Sequence, residues 1–248
     1  KLVFFHCFAD WAVPCHSMNK VVFSDQEFAD WMDKYFVNFF IDVTTPEGRP
    51  LADKYNAKIM AHYLILDSNG NVVHRIVGGC PLPEFWKRVA CALSPKTSLA
   101  GMTKSYDTGE RSVKFLGRYA TVLKYSNEDE RYRKVSEEYF AKLKPVEWPK
   151  EENWILFRDK AREPEDKMFQ YLVEHKNEFA KTVGDSVITH WIAGVYFMPV
   201  FRMAIGDIPY EGGKLLDIYM NLKKTEIPDT NPIYIVYHIA KCRGEKNF

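Results

Sequence analysis

The stretch Lys1-Leu2-Val3-Phe4-Phe5-His6-Cys7-Phe8-Ala9-Asp10-Trp11-Ala12-Val13-Pro14-Cys15 decides how the chain is read. Residues 2–8 are apolar apart from His6, as in a strand covered on both faces. Pro14 has a fixed φ and no N–H, which suits the first turn of a helix. A strand, a short turn and a helix that opens on Pro together form a corner. Cys15 then stands in the first helical turn.

Outward from this corner the elements alternate. The first helix is expected to run from Pro14 to about Val22. Ser24 or Asp25 caps a second over Gln26–Tyr35, with Phe28, Trp31 and Met32 at helical spacing. Val37–Val43 reads as a second buried strand, Thr44–Gly48 as a turn and Pro50–Tyr55 as a short helix. Ala61–Leu66 is a third strand, and Asp67-Ser-Asn-Gly-Asn71 is a hairpin signal. Val72–Val77 is its partner, closed by Gly78-Gly79. Pro83–Leu93 is a helix with Phe85, Val89 and Leu93 on one face.

The Trp-x-x-Pro-Cys corner, this element order and the Val-Val-His-Arg-Ile-Val-Gly-Gly hairpin resemble the thioredoxin family over about the first 95 residues. The resemblance implies an α/β thioredoxin-like fold, a central mixed sheet flanked by helices. It also implies a site. In the family the corner reads Trp-Cys-x-Pro-Cys, its first Cys attacks a disulfide, and its second resolves the mixed disulfide. Here Ala12 replaces the nucleophilic cysteine, and Cys15 matches the resolving one. The family's buried Asp, six residues before the first Cys, corresponds to His6. Its cis-Pro corresponds to Ala61 in Lys58-Ile-Met-Ala-His-Tyr63. A cis bond before a non-proline residue costs ~2.5–4 kcal/mol, so Met60–Ala61 is expected to be trans. Trp11, Pro14, Met60, Ala61 and His62 are the candidate binding residues, and Cys15 is the candidate reactive one. The competing reading of Cys15 is a small buried side chain in a first helical turn, and that of His62 a strand histidine bonded to backbone.

Other chemistry is poorly supported. His6, Cys7, Cys15 and His16 have the composition of a zinc site. Adjacent strand residues point to opposite faces, however, so His6 and Cys7 cannot converge. No metal and no cofactor is expected. Five cysteines with irregular spacing do not form a disulfide framework. Cys7 and Cys91 read as core residues, and Cys80, after two glycines, as an exposed thiol. Neither a nucleophile elbow nor a phosphate-binding glycine loop is present. Gly212-Gly213-Lys214 is a turn before a helix.

Beyond Ser94-Pro95 the pattern is helical, which divides the chain into a thioredoxin-like domain over 1–95 and an all-helical domain over 96–248. Stripes appear at Leu116, Tyr119, Ala120 and Leu123, and at Tyr132, Val135, Tyr139 and Leu143. Glu151–Ala161 is a helix, and Pro164 begins a long one through Met168, Leu172, Phe179 and Val183. Val187–Ile205 reads as a buried helix pair interrupted near Pro199, and His190 and Arg202 argue against a membrane span. Leu215–Leu222 and Ile233–Ala240 complete the set, and Lys241–Phe248 is expected to fray. Short polar loops suggest stacked helical hairpins without a strict repeat. Arg162–Leu172, in a helical extension after such a domain, resembles a group of bacterial envelope thioredoxin-family proteins. That resemblance implies a periplasmic or envelope location. The sequence begins on strand residues without Met, so upstream residues, including a signal, are expected.

A net charge of +1 with interspersed acids and bases gives no reason to expect a nucleic-acid partner. Two functions are left in competition. One is a thioredoxin-like module that has lost dithiol exchange and binds a protein or peptide. The other is a thiol-disulfide oxidoreductase working through Cys15 alone, or an active enzyme in which Ala12 is a variant residue. Restoring Cys at position 12 separates these, and little recovery is expected. The partner and the oligomeric state do not follow from the residues.

Overall fold

The computed structural model describes residues 1–245 and divides into two compact units, Lys1–Lys142 and Leu143–Phe248. In the first, β1 (Leu2–Phe8) lies inside a four-stranded sheet of order β2-β1-β3-β4. It runs parallel to β2 (Phe36–Asp42) and antiparallel to β3 (His62–Leu66), which pairs antiparallel with β4 (Val72–Val77). The sheet is therefore mixed, and its inner strands are β1 and β3. Continuous apolar runs in both agree with that placement.

Successive side chains on a strand face opposite ways, so the sheet has two cores. Phe4, Tyr63 and Ile65 pack with Phe28 of α2 (Gln26–Tyr35), Met18 of α1 (Val13–Val21) and Phe85 of α4 (Leu82–Ala90). Phe5, Cys7, Leu64 and Leu66 pack with Ala52 of α3 (Gly48–Lys54) and Ala57. Asp25 caps α2 by accepting the Phe28 N–H at 2.9 Å. At the hairpin, the Asp67 carboxylate accepts N–H groups from Asn69 and Asn71.

One expectation about the sheet is corrected. The second strand is not buried: Val37, Phe39 and Phe40 are exposed, because β2 is an edge strand paired on one side only. Apolar composition reports strand propensity and does not reveal position in the sheet. Packing on the sheet continues past its last strand. α5 (Leu99–Asp107) and α6 (Val113–Tyr125) both pack on β4, and α7 (Asp129–Lys142) packs on α6. The last strand ends at Val77, while the compact unit continues to Lys142. His74 of β4 supports this extension, since its Nδ1 accepts the Leu99 N–H at 3.0 Å.

The second unit holds α8 (Glu151–Phe157), α9 (Lys167–Glu174), α10 (Lys176–Val183), α11 (Asp185–Ile205), α12 (Gly212–Lys224) and α13 (Pro232–Gly244). The long helix expected from Pro164 is two helices, because His175 at φ −112° and ψ 27° breaks the run between α9 and α10. Conversely, α11 is one helix and not a pair, and it carries Pro199 inside it. It buries Ile188, Ile192, Tyr196, Val200 and Met203. At 21 residues and mean hydropathy 1.2, its length and composition would suffice to cross a membrane. Its apolar stretch is 39% buried inside the protein. At the C-terminus, Lys241–Gly244 continue α13, and the rest of the stretch expected to fray, beyond Glu245, lies outside the described residues.

Candidate functional site

The corner follows from local backbone chemistry. β1 ends at Phe8, and the Ala12 N–H donates to the Ala9 carbonyl at 3.0 Å, closing a turn. Ala12 is the N-cap residue of α1, with φ −86° and ψ 106°, and its methyl offers no side-chain cap. Pro14 stands within the first two helical positions, and the Cys15 N–H donates to the Ala12 carbonyl at 2.9 Å. The result alternates sharply in exposure. Trp11 and Val13 are 73% and 76% exposed, whereas Ala12 and Cys15 are 3% and 2% exposed.

Burial decides the state of Cys15. It pushes the thiol pKa up, the nearby Asp10 carboxylate adds to the rise, and the Ala9 backbone offsets part of it. A helix N-terminus would ordinarily pull the other way. At this corner desolvation prevails, so Cys15 is held as a neutral thiol. The neighbouring His16 ring is exposed and engages the Asp10 carbonyl through Nε2, away from Cys15.

The second half of the corner is the segment before β3. Met60–Ala61 is a cis peptide bond, which corrects the expected trans geometry. The preference for trans is a local term, and it takes no account of a tertiary setting in which Ala61 is fully buried and its carbonyl accepts the Gly78 N–H at 2.9 Å. Ala12, Cys15 and Ala61 share one core cluster, with Met60 packed beside it. The structure therefore brings together Ala12, Cys15, Met60 and Ala61, with Trp11 bordering them. Gly79 closes the same corner: a Cβ there would meet the Met18 side chain at 3.3 Å, so a larger residue would require that side chain to give by a few tenths of an ångström.

His6 and His62 do not face each other. His6 shares its face with Tyr63, ring centroids 4.6 Å apart, and is walled by Phe8, Phe23 and Phe40. His62 pairs across strands with Cys7 on the opposite face. It is therefore a buried strand residue rather than a groove-lining one, and neither ring nitrogen makes a hydrogen bond to protein. Burial lowers both imidazoles to a pKa of about 4, helped at His62 by the Arg75 guanidinium. Cys7 is buried, and its thiol is pushed up to about 12.

Tyr63 was not singled out by motif. Its side chain is wholly buried, its hydroxyl has no hydrogen-bond partner, and burial together with the thiols of Cys15 and Cys80 raises its pKa. The available signal was its place two residues after Ala61, on the opposite strand face to His62. Cys80 is half-buried against the core rather than exposed, and the exposed thiol is Cys242. Among the described residues no group of three or more His, Cys, Asp or Glu side chains is placed to hold a metal.

The family comparison agrees with this frame. A family described as a thioredoxin-like domain matches residues 1–92. A candidate disulphide-isomerase from Bacteroides thetaiotaomicron is 38% identical, over 38% of this chain and 77% of its own, with a TM-score of 0.34. A thioredoxin from Thermus thermophilus is 23% identical, over 45% and 85%, with a TM-score of 0.39. The oxidised C-terminal domain of DsbD from Neisseria meningitidis is 21% identical, over 36% and 78%, with a TM-score of 0.32. No curated protein matches the chain. Through residues 1–92, the chain belongs to the thioredoxin-like family.

Proposed function

We propose that the thioredoxin-like domain is a polypeptide-binding module that does not turn over disulfides. One observation carries this reading: Ala12 stands where the resemblance calls for the attacking thiol, and the remaining Cys15 is 2% exposed. Dithiol exchange needs an accessible thiolate to open the substrate disulfide and a second thiol to release it. Cys15 is one thiol, buried and protonated, so neither half of the cycle is served.

What the corner retains is a surface. Trp11 and Val13 on one side and Ile59 on the other are exposed apolar residues bordering the buried Ala12 and Ala61. A large aromatic beside a shallow apolar corner is the usual anchor for an extended segment. The alternative, exchange through Cys15 alone, requires that thiol to become reachable. The cell envelope is the setting this reading favours, on the resemblance of the helical extension.

A reduced, carboxymethylated unfolded protein supplies extended polypeptide without thiols and serves as the probe. Saturable binding is expected, weakened about tenfold by Trp11→Ala, which corresponds to about 1.4 kcal/mol. Absence of binding, or equal binding by the Trp11→Ala variant, contradicts the reading.

A further inference from the structure

We propose that His6 and His62 make this corner acid-labile: protonation of either ring opens the turn over residues 9–15 and the loop over residues 59–62. Release of a bound polypeptide by that opening rests on the binding reading above; the opening itself does not.

His6 is 1% exposed and His62 3% exposed. Around His6 stand Phe8 from β1, Phe23 from the α1–α2 connection, Phe40 from β2 and Tyr63 from β3. Tyr63 is the titratable group among them, and it is a neutral phenol. Around His62 stand Cys7 from β1 and Val77 from β4, and the charged group bearing on it is Arg75, a cation. The Ile59 backbone eases the ring slightly without forming a hydrogen bond of normal geometry. Among these neighbours neither ring has a carboxylate to pair with.

A neutral imidazole can be buried among aromatic rings at modest cost. An imidazolium carries two donors and a charge, and an unpaired charge in such surroundings is strongly disfavoured. Acid therefore favours any state in which the ring reaches water, and burial already holds both groups well below the ordinary histidine range. The two rings sit where opening matters. The His6 ring lies tilted against Tyr63, centroids 4.6 Å apart, and the Tyr63 hydroxyl lies within electrostatic reach of Cys15. His62 directly follows Ala61, whose carbonyl holds the Gly78 N–H. One histidine underlies each half of the corner.

Amide hydrogen exchange on the full chain, from about pH 7 to about pH 4.5 and corrected for intrinsic exchange, tests this. In the wild type, exchange over residues 9–15 and 59–63 should rise by up to about tenfold per pH unit for each histidine. In the His6→Phe, His62→Leu double variant it should stay flat. A double variant that follows the wild type, or a wild-type corner that stays protected to about pH 4.5, overturns the proposal. Should the double variant fail to fold, the imidazole resonances of the wild type decide. Rings that titrate near 6.5 with the corner closed also overturn it. No partner enters the measurement, so a flat result leaves the binding reading standing, and loss of binding leaves this one standing.

Discussion

Cys15 shows how two effects of opposite sign are ranked by position. The first turn of α1 favours a thiolate, but that benefit reaches a charge only where the charge is tolerated. Cys15 is enclosed by the core cluster that includes Ala12, Met18 and Ala61, and burial raises its pKa. Native-state alkylation at mildly alkaline pH should modify exposed Cys242 at least about a hundredfold faster than Cys15, read by peptide mass spectrometry. Comparable rates would show that the corner opens readily and would favour exchange through Cys15. That Ala12 stands where the resemblance calls for the attacking thiol was legible in the sequence, because a motif fixes residue type by position. Whether Cys15 is buried was not legible, since burial depends on α1 packing against β3 and the Gly79 loop, which lie far along the chain. The cis bond at Met60–Ala61 was missed for the same reason. Its determinants are tertiary, and the local preference points the other way.

At the scale of elements, the sheet places three histidines out of water: His6 on β1, His62 on β3 and His74 on β4. All three have folded-state pKa values lowered to about 4 from 6.5, chiefly by burial. Above about pH 6.5 all are neutral, folded or unfolded, and stability is at its full value. As pH falls from 6.5 towards 4, the unfolded chain takes up protons that the folded one refuses, so stability drops. The loss amounts to at most about 1.4 kcal/mol per pH unit per histidine. Urea unfolding at a series of pH values, followed by a probe in the sheet, should show a midpoint that falls steadily through this window. A midpoint independent of pH there would contradict the burial of these rings. Periodicity made β1, β3, β4, α1, α2 and α4 readable, because each carries an apolar face of the right spacing. It failed at β2, where composition cannot separate an edge strand from a central one. It also failed at α5, where Ser98 caps a short helix whose buried Leu99, Met102 and Tyr106 give a stripe too brief to stand out.

For the whole molecule, the question is where the thioredoxin-like part ends as a folding body. The family match stops at residue 92, yet α5 and α6 cover β4 and the compact unit extends to Lys142. The Ser126 hydroxyl donates to the Arg75 carbonyl at 2.7 Å, and Arg75 pairs with Glu128 at 3.7 Å, so the extension is tied to the sheet by polar contacts as well. A fragment of residues 1–142 should therefore unfold cooperatively, while residues 1–95 alone should not, as measured by circular dichroism during thermal unfolding. Equal cooperativity in the two fragments would make α5–α7 an accessory layer. No strand pattern follows the hairpin, whose second strand ends at Val77, and that was plain in the sequence. That the following helices serve the same core was hidden, because an amphipathic stripe does not state what it packs against. For this corner we propose a binding role without turnover of disulfides. It is tested most directly by disulfide reduction under multiple-turnover conditions, with the wild-type chain at catalytic concentration and a thiol reductant present. The account predicts a rate equal to that of the reductant alone. Sustained turnover by the wild-type chain, abolished by Cys15→Ser, would contradict it.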